Sequence, residues 1–392
     1  KNVKKIYYTL RNKNLLTFNM IKDTIWREFI AITKNDFKSP EVIGSVENQN
    51  LHGLSSTDMI IVAKDKYLKH SNEVAELHEK HDNMKAHVVT SRQIYNEFSS
   101  GCPDPSAIRN FIRMIYKRST EEDSLKYLLL FGDGTYDNRE CHTTDNLITY
   151  QSKVSLNYSN SFVSDDFFGL LDRQDNTSGR LDGLLDIGVG RIPVEDAQQA
   201  EVAVKKIRYY MKSSEKGFWP NKICFVADDE DNNLHMRDAD KLARFVDENY
   251  PSFEIDKIYL DNYPQKTSPT GEIYPKVNKD IKENINNGLL LFNYTGHGGE
   301  HQLAREKIFT EDDINSLVNF PKMPVFMTAT CEFTRWDAEN YTSAGEKVFL
   351  NSKGGAIALF STTRLVYASL NYNLNKAFYD FVFQKNKKGK PY

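Results

Sequence analysis

Short apolar runs alternate with longer amphipathic stretches along most of the chain. Residues 58–63 (DMIIVA) and 127–131 (YLLLF) are continuous enough to be strands covered on both faces, as in a parallel sheet. A polar stretch with helical spacing occupies 66–84, followed by a strand at 87–90 and a helix at 92–98. Asp104-Pro105 marks a helix start, with Asp as the cap and Pro at the first helical position, and Ile108, Phe111, Ile112 and Ile115 recur on one face. Gly132-Asp133-Gly134 stops the YLLLF strand. Residues 136–182 are polar and turn-rich and read as a surface excursion, after which a strand is expected at 184–189 and a helix at 194–212. Beyond Gly217–Pro220 the rhythm repeats, with strands at 223–227, 255–260, 289–294, 325–330 and 356–360 and helices near 235–249, 276–287, 311–318, 343–351 and 371–384. This alternation predicts an α/β protein of two subdomains whose mostly parallel sheets carry helices on both faces. The expected divisions are 1–39, a leader forming the edge of a preceding β-rich domain; 40–216, a first α/β subdomain; and 217–392, a second α/β subdomain. Lys385 to Lys390 read as a frayed tail or a linker.

The 392 residues suffice for two packed units. With 51 basic and 54 acidic residues the formal net charge is -3, so no global field favours nucleic acid or an anionic membrane. No apolar run reaches the roughly 20 residues of a membrane helix. The chain opens at Lys1 without Met or a signal peptide and reads as a mature piece or an excised domain. Its four cysteines, Cys102, Cys141, Cys224 and Cys331, form no CxxC pair, which disfavours a disulfide framework or a structural zinc site. Cys224 lies within ICFV and is a core thiol, while Cys102 and Cys141, beside His142, read as loop bystanders.

In open parallel sheets ligands bind beyond the carboxyl ends of the strands, so the residues just past each strand carry the candidate chemistry. The run 289–294 leads into Thr295-Gly296-His297-Gly298-Gly299, and 325–330 leads into Cys331. Cys331 lies 34 positions after His297, with one helix between, so a single crossover brings both residues to one sheet edge. The pairing has a chemical use. A thiol with an ordinary pKa near 8.5 is mostly protonated at neutral pH, whereas the thiolate is the nucleophile, and an adjacent imidazole takes that proton and returns it to a leaving amine. The flanking glycines allow a tight turn, and the backbone amides of Gly298 and Cys331 are candidates for an oxyanion hole. Asp228, Glu332, Arg335, Trp336 and Thr363 are candidates to line a substrate pocket. Asp133 reads as a turn cap, and Asp165-Asp166 as turn or cleft residues. The letters HGGEH (297–301) also fit the H-x-x-E-H zinc pattern, but that pattern needs a helix, and two glycines after an apolar strand disfavour one.

These motifs also carry a resemblance. NYTGHGGEH (293–301), TATCEFTRWD (328–337) and SAGEKVFLNSKGGAIALFSTTRLVYAS (343–369) resemble the gingipain-related cysteine peptidases, family C25 of the caspase-like clan. VENQNL (46–51), LLLFGDGTYDNR (128–139), SDDFFGLLD (164–172), GVGRIPVED (188–196) and FVADDEDNNLHM (225–236) look more narrowly like the branch that serves as sortase of the type IX secretion system. The likeness covers about residues 40–385 and implies a caspase-like, gingipain-like fold with its active site in the second subdomain. It implies an acidic residue that orients His297, with Asp229 matching best and Asp228 second. It further implies a cysteine endopeptidase and transpeptidase that removes the carboxyl-terminal sorting domain of secreted cargo and passes the cargo to lipopolysaccharide. The setting it implies is the outer face of the outer membrane, beside other secretion components. A secreted general protease and a non-catalytic component of the machinery remain as alternatives. The reaction requires no cofactor and no catalytic metal, but gingipains carry calcium, and the oxygens of Asp228, Asp229, Glu230, Asp231 and Asn232 are suited to a structural calcium ion.

Overall fold

The computed structural model describes residues 4–11, 15–20, 27–42, 44–120, 123–140, 146–154, 156–157, 160–172, 181–212, 217–269 and 271–384. Cys141, His142 and the Lys385 to Lys390 run lie outside these. The chain divides into a unit of residues 1–48 and a unit of residues 49–392. In the first, β1 (Thr9–Arg11) and β2 (Leu15–Thr17) form an antiparallel hairpin.

The second unit holds two parallel sheets. Strands β3 (Met59–Ala63), β4 (Ala86–Thr90), β5 (Tyr127–Phe131) and β6 (Gly188–Ile192) make the first, in the order β4-β3-β5-β6. Its helices are α1 (Leu68–His81), α2 (Ser91–Phe98), α3 (Pro105–Arg118) and α4 (Ala197–Lys212). Successive strand residues point to opposite faces. Thus Ile60, Val62, Leu128 and Leu130 pack with Ile108, Phe111, Ile112 and Ile115 of α3. Met59, Ile61 and Ala63 pack with Val74 and Ala75 of α1 and with Ala200, Ala203 and Val204 of α4. The Asp104 carboxylate caps α3 by accepting from Ser106 N at 2.7 Å. The strand expected at 184–189 starts four residues later, at Gly188, and ends at Ile192. Leu184 and Leu185 face solvent, and Gly188 is the residue opposite Tyr127, where a Cβ would come within 3.0 Å of the ring. Close packing on an aromatic ring, rather than apolar content, sets that strand.

The second sheet contains β7 (Lys222–Ala227), β8 (Glu254–Tyr259), β11 (Leu291–Thr295), β15 (Val325–Ala329) and β16 (Ala358–Phe360), in the order β16-β15-β11-β7-β8 and parallel throughout. A hairpin of β9 (Lys266–Ser268) and β10 (Gly271–Ile273) comes after β8. After β11 come three short antiparallel strands, β12 (Gly298–Gly299), β13 (Gln302–Leu303) and β14 (Phe309–Thr310). Because Gly298–Gly299 is a strand, the zinc pattern at 297–301 lacks the helix it requires. The helices are α5 (Glu230–Asn249), α6 (Pro275–Asn287), α7 (Glu311–Asn315), α8 (Ala344–Leu350) and α9 (Ala368–Val382). One face of this sheet packs Val226, Phe292, Tyr294 and Phe326 against Val277, Ile281 and Ile285 of α6. The other packs Ile223, Phe225 and Leu291 against Leu242 and Val246 of α5 and Tyr379 of α9. Cys224 is fully buried, as its setting predicts, and burial pushes its thiol up from the ordinary range.

The two sheets meet around α4, α8 and the segment after β15. The Lys206 ammonium donates to the carbonyls of Phe349 and Gly354. Tyr136 N donates to the Asp337 carbonyl at 3.1 Å. Trp336 lies so close to Gly134 that a Cβ there would be 2.3 Å from the indole, and the Arg191 guanidinium sits 4.3 Å above its ring.

Candidate active site

Strand register places the site. Thr295, the last residue of β11, is paired with Ala227 of β7 on one side and Ala329 of β15 on the other. Asp229, His297 and Cys331 each lie two residues beyond that row, so three adjacent strand ends supply a carboxylate, an imidazole and a thiol. Two glycines hold the middle segment against both neighbours. A Cβ on Gly296 would lie 2.3 Å from Asp228 Cβ, and one on Gly298 would lie 2.4 Å from Thr330 Oγ1, the residue before Cys331. The ladder continues past the strand ends through Asp228 N to Thr295 O at 3.1 Å and Gly296 N to Ala329 O at 3.3 Å.

The His297 backbone is fixed from several directions. Its N–H donates to Asp228 Oδ2 at 2.8 Å, and its carbonyl accepts from Ala304 N at 2.9 Å and from the Tyr294 hydroxyl. Its ring is partly exposed and meets Asp231 Oδ2 through Nε2 at 3.0 Å, with Glu230 Oε2 at 3.7 Å. Asp231 Oδ2 also meets His235 Nε2 at 3.1 Å, and the two imidazoles stand edge to face with centroids 5.2 Å apart. Desolvation opposes ionisation of Asp231, but the hydrogen bond and charge of His297, with those of His235, hold its carboxyl below the ordinary range. Asp231 Oδ2 is therefore placed to accept a hydrogen bond at Nε2 of both imidazoles.

Asp229, the expected orienting residue, does not meet the imidazole. Its Oδ2 accepts from the Tyr274 hydroxyl at 2.6 Å, while its Oδ1 is buried without a hydrogen-bond partner. The reason lies in the backbone. Asp231, Asn232 and Asn233 are consecutive left-handed residues (φ 57, 54 and 62) inside α5, and this turn places Asp231 rather than Asp229 against His297. Left-handed non-glycine residues cost roughly 1–2 kcal/mol each, a strain retained where surrounding contacts require it. Asp228 is fully buried, and burial, outweighing the His297 amide and the nearby imidazoles, raises its carboxyl above the ordinary range. It supports the backbone of the imidazole segment rather than lining a pocket. Sequence reasoning missed His235 as a neighbour of the site, although its spacing of four residues from Asp231 is a helix-face signal.

The Cys331 thiol is half-buried and lies 3.8 Å from the Val366 carbonyl. The next residue, Glu332, is also left-handed (φ 53), and its N–H donates to Arg364 O at 3.3 Å. Burial, then the charge of Glu300, raises the Glu332 carboxyl, while Arg335 lies 3.9 Å away and bonds Glu300. Glu332, Arg335 and Glu300 thus form a charged cluster that starts at the residue after Cys331. Thr363 lies in the same segment as Val366, half-buried. Trp336, expected in the pocket, is 9% exposed and committed to packing on Gly134 and Arg191, because the close approach of the two sheets at that glycine needs a flat ring to fill it.

Among the described residues, two groups of side chains have the geometry for a cation: Asp228 with His235 and His297, and Asp228 with Asp229 and Glu306. In the first, the His297 and His235 Nε2 atoms are engaged by Asp231. Within the acidic run 228–232, Glu230 and Asp231 face His297, so only Asp228 and Asp229 join the second group.

The sequence pattern of peptidase family C25 matches residues 52–391. Among solved structures, the complex of Porphyromonas gingivalis RgpB pro- and mature domains superposes with a TM-score of 0.63 at 19% identity, over 84% of this chain and 69% of that one. The Arg-specific cysteine proteinase gingipain R (RgpB) gives 0.62 at 17% identity, over 87% and 72%. Dimeric latent PorU from Porphyromonas gingivalis is 37% identical over 45% of this chain and 18% of that one, with a TM-score of 0.40. No curated protein matches the chain. No helix among the described residues is long and apolar enough to cross a membrane. With the family pattern spanning nearly all of residues 49–392 and the gingipain architecture repeated around it, the chain belongs to peptidase family C25 and is a cysteine peptidase.

Proposed function

We propose that Cys331 is the nucleophile, His297 its proton-transfer partner and Asp231 the carboxylate that orients the imidazole. The observation that carries this reading is the common register that brings His297 and Cys331 to neighbouring strand ends, with Asp231 3.0 Å from the imidazole. With Nε2–H held by Asp231, the basic nitrogen is Nδ1. It takes the thiol proton as Sγ attacks the peptide carbonyl, and the oxygen that becomes negative is met by the backbone amides of Gly298 and Cys331. Collapse breaks the C–N bond, the imidazolium protonates the leaving amine, and an acyl group remains on Sγ as a thioester. Water or a second amine then attacks that thioester and frees the thiol.

The finer role is that of a PorU-like sortase. It removes the carboxyl-terminal sorting domain of type IX-secreted cargo at the outer face of the outer membrane and transfers the cargo to lipopolysaccharide. Support for this comes from the run of motifs outside the dyad, from VENQNL (46–51) to the segment 343–369. The charged cluster of Glu300, Glu332 and Arg335 is suited to select the residue before the scissile bond.

Partitioning of the acyl-enzyme tests both levels. A cleavable peptide is offered with and without a small amine, and the products are resolved by mass. Cleavage lost on Cys331→Ala and on His297→Ala, with an amide adduct that displaces the hydrolysis product as amine is raised, is the result expected of a sortase. Hydrolysis alone at every amine concentration would leave a general protease. Cleavage that survives Cys331→Ala would end the proposal.

A further inference from the structure

His235 is a buried imidazole that the transfer of the thiol proton to His297 does not use. It is 6% exposed and stands on α5, just after the left-handed turn at Asp231, Asn232 and Asn233. Its Nε2 lies 3.1 Å from Asp231 Oδ2, the same oxygen that meets His297 Nε2 at 3.0 Å. The two rings stand edge to face, with centroids 5.2 Å apart and planes at 85°. One carboxylate oxygen thus joins two imidazoles, one partly exposed at the strand end and one enclosed by the fold.

Asp231 needs such an anchor. Its side chain is half exposed, and its backbone is held in the left-handed region (φ 57). A carboxylate in that setting has water as a rival partner and other rotamers open to it, and fixing it costs side-chain entropy. The buried His235 ring cannot follow it into solvent. A carboxylate oxygen has two lone pairs, so Oδ2 can accept from both imidazoles at once. Hydrogen bonds to an ionised acceptor are also the stronger kind.

We infer that His235 is a positioning residue of the peptidase. It donates through Nε2 to Asp231 Oδ2 and so fixes the oxygen that orients His297. Its ring, edge to face with the His297 ring, limits rotation of that imidazole. His235 acts through Asp231 rather than on the substrate, and the inference rests on the reading of Asp231 as the orienting carboxylate. Losing the donor leaves Asp231 with one tether instead of two. The loss falls on proton transfer rather than on substrate binding, and so on kcat rather than KM.

The test measures kcat and KM on a cleavable peptide for the full chain and for His235→Phe, His235→Gln, Asp231→Asn and the double change His235→Phe with Asp231→Asn, with the melting temperature of each. Phe keeps a ring against His297 but has no donor. Gln gives up the ring but carries an amide N–H near the place of Nε2. His235→Phe is expected to lower kcat by about 10-fold or more with KM within about 3-fold, as for loss of a hydrogen bond to a charged group. His235→Gln is expected to hold kcat within about 3-fold of the parent, because the donor remains. Adding His235→Phe to Asp231→Asn is expected to cost less than about 2-fold more, because the acceptor is already lost. A role in packing alone gives the opposite order, with His235→Phe active and His235→Gln impaired. That result, or a full further loss in the double variant, would overturn the inference. Asp231→Asn turning over like the parent would bring down the reading of Asp231 and this inference with it. An impaired Asp231→Asn beside an unimpaired His235→Phe would bring down this inference alone. Should His235→Phe fail to fold, His235→Met, which also lacks a donor, takes its place in the same cycle.

Discussion

Asp231 reaches His297 only because three residues adopt left-handed backbone, and so the orienting carboxylate sits two positions beyond the one that register alone selects. If Asp231 fixes the imidazole, Asp231→Asn presents a donor where an acceptor is needed and stabilises the wrong tautomer. In a serine-protease triad the equivalent change costs about 10⁴-fold. Here the carboxylate is half exposed, and a loss in kcat/KM of about 10²-fold or more is expected, with the melting temperature nearly unchanged. Turnover equal to that of the parent would remove Asp231 from the mechanism. The placement of His297 and Cys331 at neighbouring strand ends was legible because apolar runs mark strand ends directly. Asp231 was not, because a left-handed turn leaves no apolar pattern, and His235 offered only its spacing from Asp231. Glu306 was invisible for a different reason: its partners are distant in sequence and its own neighbours are polar.

At the scale of elements, β11 does most to position the site, and it contains a polar residue that strand patterning ignores. Asn293 is fully buried, and its amide is exchanged with that of Asn375 on α9, donating at 2.7 Å and accepting at 3.3 Å. Asn293→Ala strands a buried amide and is expected to cost about 1–3 kcal/mol in urea denaturation. The double change Asn293→Leu with Asn375→Leu is expected to recover most of that loss, and a double mutant as unstable as the sum of the singles would contradict the pairing. Gly296→Ala probes the turn itself. Its Cβ would overlap Asp228 Cβ, and overpacking of this kind costs about 1–3 kcal/mol. Activity should fall with stability, because the displaced segment carries His297. The parallel strands of both sheets were readable from their apolar runs. The start of β6 was not, since its glycines are chosen for close packing on Tyr127 rather than for hydrophobicity.

For the whole molecule, the contact between the two sheets buries charge of both signs. Burial lowers Lys206 from 10.5 to about 7, and burial raises Glu346 from 4.5 to about 7 against the bonds from Ser343. For Lys206 the unfolded chain keeps its proton up to 10.5 while the folded state releases it near 7, so stability rises with pH across that window. For Glu346 the folded state keeps its proton to about 7 while the unfolded chain releases it near 4.5, so stability falls as pH rises from 4.5 to 7. Asp133, raised by burial and by the Glu346 charge, acts in the same sense as Glu346. Together they predict a dip in stability near pH 7, with slopes of up to about 1.4 kcal/mol per pH unit from each group. Lys206→Met should flatten the upper limb and Glu346→Gln the lower; a smooth maximum at pH 7 in urea melts would refute the dip. These penalties lie between the sheets, whereas the chemistry lies at the strand ends of the second, and that convergence is the claim on which the account rests. Its most direct measurement is the rate at which iodoacetamide alkylates each cysteine of the native protein, read by peptide mass. Cys331 is expected to react at least about 10-fold faster than exposed Cys102, and to lose that advantage on His297→Ala. Equal rates at Cys331 and Cys102, or a Cys331 rate unmoved by His297→Ala, would contradict it.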